Sequence, residues 1–245
     1  MVEHEKTPSL RSIDPVLAAL IDDRLTLTIH DADHLIELMS RAADLAVEYI
    51  SGADHAGITV VFQGSDPLTI APTDERVKEF DASQYRIDAG PCLRATRTDR
   101  TVDIDMAEMT RLWPELAAVS RLCGISRVLA APVHRHRQSV GSLNMYTDER
   151  TTAVISAVSP VLAILLEHLD RGMDDYSDSL AALERVNALR TALENRVVIE
   201  NALGTITELA GCTRDEASDL LSRKARQENT TLRVAADRTI ADRSL

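Results

Sequence analysis

The run Leu193-Glu-Asn-Arg196-Val-Val-Ile199-Glu-Asn-Ala202-Leu203-Gly204-Thr-Ile206 sets the register of the last third of the chain. Leu189, Leu193, Val197, Ile199, Ala202, Leu203 and Ile206 fall at helical spacing, and Leu180, Leu183 and Val186 extend the stripe upstream. The pattern predicts one helix of about 30 residues from Asp178 to Leu209, long for a compact domain. A long helix with one apolar stripe and charged flanks needs a partner helix, here a coiled-coil seam between two copies of the chain. Gly211 stops it. Thr213-Arg-Asp-Glu216 reads as a capping box that opens a second helix, to about Gln227. Glu228-Asn229-Thr230-Thr231 interrupts, and Leu232–Asp242 reads as a third helix.

These residues carry a resemblance. Arg196-x-x-Ile199-x-x-Ala202-x-Gly204, then Gly211-x-x-x-Asp215-Glu216-Ala217-x-x-Leu220-Leu221, then Ala225-x-x-x-Asn229-x-x-Leu232-Arg233-x-Ala235-Ala236 resemble the ANTAR family. Those are three-helix RNA-binding modules of bacterial transcription antiterminators. The resemblance implies RNA contacts among Arg196, Gly204, Arg214, Arg223, Lys224, Arg226, Asn229 and Arg233. Arg223, Lys224, Arg226 and Arg233 bracket the second inter-helix turn, where they are expected to converge on phosphates. Two positions depart from the family pattern. Leu203 replaces a usual Lys, which is expected to remove a phosphate contact. Ser218 replaces a usual aromatic residue, which is expected to remove a core anchor. Gly204, inside a helix, is expected to mark a close approach of another helix. No aromatic residue follows Tyr176, so recognition is expected to rest on backbone and loop shape, with any stacking left to Arg guanidinium planes.

Charge constrains this reading. The chain has 245 residues, 44% hydrophobic and 27% charged, the composition of a globular protein. Its net charge is −12, unusual for a nucleic-acid binder. From Tyr176 onward 10 Lys and Arg oppose 11 Asp and Glu, so about −11 sits on the earlier part. RNA contact therefore requires the basic residues of the tail to gather on one face. Three widely spaced cysteines, Cys92, Cys123 and Cys212, suggest neither a disulfide framework nor a zinc site, and a reducing cytoplasm is expected. No secretory signal is visible, and the most apolar run, Val158–Leu166, is too short to span a bilayer. No membrane role is expected.

Upstream, Asp14-Pro15 opens a short helix within an N-terminal extension, residues 1–30. Leu35, Leu38, Met39, Ala42, Leu45, Ala46 and Tyr49 form one face of a helix over 31–51. Residues 56–62 and 68–71 read as a strand hairpin, and 101–105, 125–134 and 140–146 as further strands. Phe80, Tyr85 and Asp88-Ala-Gly90-Pro91-Cys92 lie in a stretch of mixed character ending in a turn. Trp113-Pro114 opens a helix to Leu122, and 151–171 is expected to be helical, kinked or restarted at Ser159-Pro160. Helices at both ends of about five strands predict an α+β domain on a mainly antiparallel sheet.

Residues 31–172 also resemble a family, the GAF sensor domains. The resemblance rests on Asp88-x-Gly90-Pro91-Cys92-x-x-Ala95, Val102-x-Ile104-Asp105, Trp113-Pro114, Gly124-Ile125, Ala131-Pro132-Val133 and Gly141-Ser-Leu-Asn144-x-Tyr146. It implies a ligand pocket near Gly90, Cys92, Asp105 and Trp113, and an unknown small-molecule or redox signal. GAF domains joined to ANTAR tails are a known architecture of bacterial regulators. The expected organisation is a GAF-like sensor over 31–172 and an all-α, coiled-coil and three-helix ANTAR-like domain over 173–245, with Gly172–Ser179 as the hinge.

No catalytic constellation accompanies these domains. A GAF-type sulfoxide reductase shares the expected fold but needs several cysteines around its pocket, and only Cys92 is placed there. His134-x-His136, flanked by Arg135 and Arg137, reads as a polar hairpin end rather than a metal site. Asp103 and Asp105 read as strand-end residues. Neither a nucleophile with a base at usable spacing nor a glycine-rich phosphate loop appears, so no enzyme, metal or cofactor is expected. The expectation is a cytoplasmic homodimeric regulator that binds tandem stem-loops in nascent mRNA. Rival readings are a helix-turn-helix DNA binder and a dimeric sensor that speaks to a protein partner.

Overall fold

The computed structural model describes residues 14–61, 66–176, 182–228 and 230–243. The chain divides into two units, Met1–Val186 and Asn187–Leu245. The first begins with α1 (Pro15–Leu25) and α2 (Ala32–Tyr49), then β1 (His55–Val60) and β2 (Leu68–Ile70). Next come α3 (Glu75–Arg86), α4 (Pro91–Thr98), β3 (Val102–Asp105), α5 (Met106–Leu112) and α6 (Pro114–Leu122). Strands β4 (Ile125–Arg135) and β5 (Gln138–Asp148) and helix α7 (Pro160–Asp175) complete it.

The five strands form one antiparallel sheet in the order β2-β1-β5-β4-β3. Its centre is the β4–β5 hairpin, turned by His136 and Arg137, which both have positive φ, 47° and 63°. Two such residues match the twist that a tight hairpin needs. Residues Val128–Val133 of β4 are buried without interruption, so both faces of the strand are covered. Val128 and Ala130 pack with Tyr146 into the core beneath α3–α6. Leu129 and Ala131 alternate to the opposite face, where α2 and α7 lie on the sheet. There α2 and α7 approach closely at Gly172, where an added Cβ would sit 2.3 Å from a Leu38 methyl carbon.

Two helices, α3 and α4, stand where the sequence predicts mixed or turn structure, and α5 occupies 106–112, which the sequence reading leaves unassigned. The inward face of α3 carries Val77 and Phe80 but also the fully buried Asp81 and Gln84, so its apolar period is broken. Pro91 belongs to the first turn of α4, a favoured site for proline, rather than to a turn alone. Residues 151–159, expected as helix, are not helical. Ser159 has an extended backbone, φ −60° and ψ 128°, as a residue before proline prefers, and α7 begins only at Pro160.

The second unit comprises α8 (Ala182–Ala210, whose first residues precede the unit boundary), α9 (Arg214–Gln227) and α10 (Leu232–Asp242). The expected start of α8, 178–181, lies outside the described residues. The capping box at Thr213 is present: Glu216 N–H donates to Thr213 Oγ1 at 3.3 Å, and Thr213 N–H donates to Glu216 Oε2 at 2.8 Å. The core joins Ala202, Leu203 and Ile206 of α8 to Ala217, Leu221 and Ala225 of α9, and to Ala235 and Ala236 of α10. With five alanines among eight core positions, the backbones can approach closely around few large side chains.

Candidate nucleic-acid interface and a buried polar cluster

In the three-helix unit, the basic residues sort into two groups. Arg214 donates to Glu200 at 2.6 Å, binding the start of α9 to α8. Arg233 donates to Asn195 at 2.7 Å and to Asp237 at 2.9 Å, binding α10 to α8. Arg238 pairs with Glu228 at 2.7 Å and Arg243 with Glu208 at 3.2 Å. These arginines are held by acidic and amide groups of their own unit. Arg223 and Arg226 make no ion pair among the described residues, and Arg226 donates only to the Ser222 carbonyl, at 3.2 Å.

The expected convergence at the second turn is therefore partial. Arg223 and Lys224 line one open groove of about 560 Å³, together with Gln227, Glu228 and Asp242 above Ile206, Leu220 and Leu221. Arg233 faces α8 instead, and Arg226 is absent from the groove lining. Arg196 lies half-buried on α8, and Asn229 lies outside the described residues. Gly204 is exposed, and a Cβ added there would meet nothing within 4 Å, so among the described residues α9 and α10 do not approach it closely.

Both departures from the family pattern are read differently once their surroundings are known. Leu203 is 6% exposed and belongs to the three-helix core, so it does not occupy a phosphate-facing position. Ser218 is exposed, one residue past the buried Ala217, so an aromatic side chain there would not anchor this core.

In the sheet unit, the expected pocket residues split. Gly90 and Cys92 come together beside α3, while Asp105 is exposed and caps α5 by accepting from Glu108 N–H at 2.8 Å. Trp113 is half-buried against the core under α3–α6. Gly90 has φ +147°, and a Cβ would lie 2.2 Å from Gln84 Oε1. That glycine lets Gln84 reach across: its Oε1 accepts from Cys92 N–H at 3.0 Å, and its amide donates to Cys92 Sγ at 3.0 Å and to Asp81 Oδ1 at 2.9 Å.

Asp81 is the hub of a buried polar chain that the sequence reading missed. Oδ1 also accepts from Tyr146 OH at 2.7 Å, and Oδ2 accepts from Thr69 Oγ1 at 3.0 Å. Thr69 meets Tyr85 OH at 2.7 Å, Tyr85 meets Thr59 at 2.9 Å, and Thr59 accepts from Asn144, which accepts from Ser142. The signal was present: Asp81 and Gln84 sit four and seven residues after Val77, on the same helical face. Burial pushes the Asp81 carboxyl up to about 6 against the lowering effect of its donors. Burial and the neighbouring Asp81 push the Cys92 thiol well up, which keeps the thiolate scarce at neutral pH. Cys123 is buried in the same core, and burial raises its thiol too.

The hairpin end is polar, as expected. His134 Nδ1 lies 3.0 Å from Asp170 of α7 and its Nε2 lies 2.8 Å from Asp99, while His136 N–H donates to Asp174 at 2.5 Å. Burial alone would lower the His134 pKa, but its bonds to the two carboxylates outweigh that and raise it. No group of His, Cys, Asp and Glu among the described residues is arranged to hold a metal ion. No helix among them is long and apolar enough to cross a membrane.

Residues 187–240 match the ANTAR domain family. No curated relative matches the sequence. Among solved structures, the free methionine-R-sulfoxide reductase of Neisseria meningitidis is similar at 15% identity and a TM-score of 0.44, covering 73% of this chain and 96% of that one. Escherichia coli SdiA is similar at 12% identity and a TM-score of 0.47, covering 94% and 98%. The phycoerythrobilin-bound GAF domain of a cyanobacterial phytochrome is similar at 10% identity and 0.40, covering 70% and 97%. Likenesses this distant carry no argument about activity.

Two predictions follow from these geometries. Arg223→Ala is expected to reduce the slope of log affinity for RNA against log salt by about 1 with an unchanged melting temperature, whereas Arg233→Ala is expected to cost about 1 kcal/mol of stability. Salt titrations and thermal melts of both variants separate the two roles. For Asp81, the folded pKa is above the unfolded value, so the folded state holds the proton more tightly. Its contribution is fully present below about pH 4 and is lost as pH rises through about 6. Relative to Asp81→Asn, the wild type is expected to lose about 3 kcal/mol at most between pH 4 and 7.5, as read by urea unfolding.

Proposed function

We propose that this chain is a signal-responsive transcription antitermination regulator that binds paired stem-loops in nascent mRNA. The observation that carries the reading is the ANTAR match over 187–240, falling on a three-helix unit. Four arginines of that unit serve its own packing, and Arg223 and Arg226 of α9, which make no ion pair among the described residues, are the cations this reading assigns to phosphate. In this reading two copies of the chain bind two hairpins, since a two-fold protein suits a tandem target. The exposed Val197, 57% accessible on α8, is consistent with a seam still to be covered by a second copy.

The sheet unit is the sensor, of GAF type by the motifs at Gly90-Pro91-Cys92 and Gly141–Tyr146. Its signal acts through the region around Asp81, Gln84 and Cys92, where a polar chain links α3, α4 and three strands. A small molecule shifts the regulator only if it binds one conformational state more tightly than the other. Replacing the hydrogen bonds of Gln84 and Tyr146 to Asp81 is one way to create that difference.

In vitro transcription tests the reading. Templates carry a leader with two hairpins of randomised loop sequence, the second overlapping a terminator. With the full-length protein present, read-through transcripts are expected to be enriched in particular loop sequences, and only when both hairpins are intact. Read-through unaffected by the protein across the whole pool would contradict the proposal and leave a regulator acting on protein or DNA.

A further inference from the structure

The end of the β4–β5 hairpin places His134 between two carboxylates. Its Nδ1 lies 3.0 Å from Asp170 Oδ2 and its Nε2 lies 2.8 Å from Asp99 Oδ1. A neutral imidazole carries a single N–H, so one of these contacts would set a ring lone pair against a carboxylate. The imidazolium donates to both. The contact to Asp170 has further support, because the His134 backbone N–H donates to Asp170 Oδ1 at 2.7 Å. Among the described residues nothing else donates to the Asp99 carboxylate. The other titratable or charged groups lining this notch are His136 and Asp174, 3.3 Å apart, and Arg137. The His134 side chain is 29% exposed, so it exchanges protons with solvent, unlike the fully buried Asp81. His55 also lies near two carboxylates, but the Arg76 guanidinium sits 2.6 Å from its Nε2 and supplies a permanent cation there.

The two carboxylates belong to opposite layers of the sheet unit. Asp170 is on α7, which covers one face of the sheet, and Asp99 ends α4, which covers the other. Asp99 has φ 53°, and its N–H and that of Arg100 close the last turn of α4 on the Ala95 carbonyl. At the start of α4, Cys92 is fastened to Gln84. Helix α4 is therefore tied at both ends, and the tie at Asp99 is the one that solvent protons reach.

We propose that His134 is a proton-operated clasp that joins α4 to α7 across the hairpin end. With the proton on, the ring holds Asp99 and Asp170 together. When the proton leaves to solvent, the remaining N–H stays with Asp170, which the backbone N–H also holds, and Asp99 faces a lone pair. The turn at Asp99–Arg100 then loosens, while α7 stays packed through Leu169, Gly172 and Met173. The bonds to the two carboxylates raise the imidazole pKa against the lowering effect of burial. The clasp is thus closed below the ordinary imidazole pKa, about 6.5, and opens as pH rises through the raised one. Burial raises the Asp170 carboxyl despite the bonds it accepts, so the tie to α7 weakens from the acid side. The inference deepens the sensor reading by naming one input, the proton, and its geometry does not depend on RNA binding.

The test uses full-length protein. Imidazole titration by NMR gives the midpoint for His134, and amide exchange over 95–101, read by mass spectrometry, gives the opening. Labelling times are scaled for the intrinsic pH dependence of exchange. Protection of this segment is expected to fall about tenfold between pH 6 and 9, with its midpoint at the His134 titration, above the ordinary imidazole range. Asp99→Asn tolerates the same backbone conformation and removes the exposed charge. It is expected to move the imidazole midpoint down by about one pH unit and to abolish the pH dependence of exchange. His134→Gln is expected to abolish that dependence as well. A His134 midpoint at or below the ordinary range would overturn the clasp. So would protection over 95–101 that does not change with pH, or a change that persists in His134→Gln. Loss of the sensor reading, shown by RNA binding indifferent to pH in wild type and Asp99→Asn alike, would leave the clasp standing and remove its proposed use.

Discussion

The C-terminal unit depends on burying one face of α8. Ala202, Leu203 and Ile206, flanked by Val198 and Ile199 of the same helix, are covered by α9 and α10 mainly with alanines and Leu221. Small residues permit the close approach, but they also supply little buried area per residue, about 25 cal/mol for each Å² of apolar surface removed from water. The unit is therefore reinforced at its periphery. The capping box fixes the start of α9, Arg214 reaches Glu200, and Arg233 reaches Asn195. These polar ties consume cations that an RNA-binding surface could otherwise use. Arg223 and Arg226 of α9 stay outside these ties, and Arg223 lines an open groove of this unit.

The sheet unit is organised by the opposite kind of constraint. A carboxylate placed where no water reaches must be fully supplied with donors or hold a proton. Asp81 is given Gln84, Tyr146 and Thr69, and its carboxyl is still raised to about 6. Such a network is sensitive to any group that replaces one of its members, because a half-satisfied buried polar chain is costlier than a complete one. That sensitivity suits a sensing element, and the same low dielectric keeps the Cys92 thiol protonated and unreactive.

Much of this was legible in the sequence. The glycine stop, the capping box and the polar interruption over 228–231 placed α9 and α10 where they stand, and alternating strands gave the antiparallel sheet. The failures have physical causes. Helix α3 was hidden because Asp81 and Gln84 interrupt its apolar face, and α4 because Pro91 signals a turn and a helix start alike. Leu203 and Ser218 were judged by family pattern rather than by helical phase. Leu203 shares a face with Ile206, and Ser218 lies about 100° round the helix from Ala217, which was sufficient to place one inside and the other outside. The pairing of Arg233 with Asn195 spans 38 residues and left no local trace in the sequence.

The central claim is that the α9 face binds RNA hairpins in pairs. It is tested most directly by equilibrium binding of the full-length protein to a selected two-hairpin RNA, to each hairpin alone and to duplex DNA of the same sequence, across a salt series. The account predicts preference for the paired hairpins, affinity falling as salt rises, and a shallower slope for Arg223→Ala. Equal affinity for duplex DNA, or a salt slope that Arg223→Ala leaves unchanged, would contradict it.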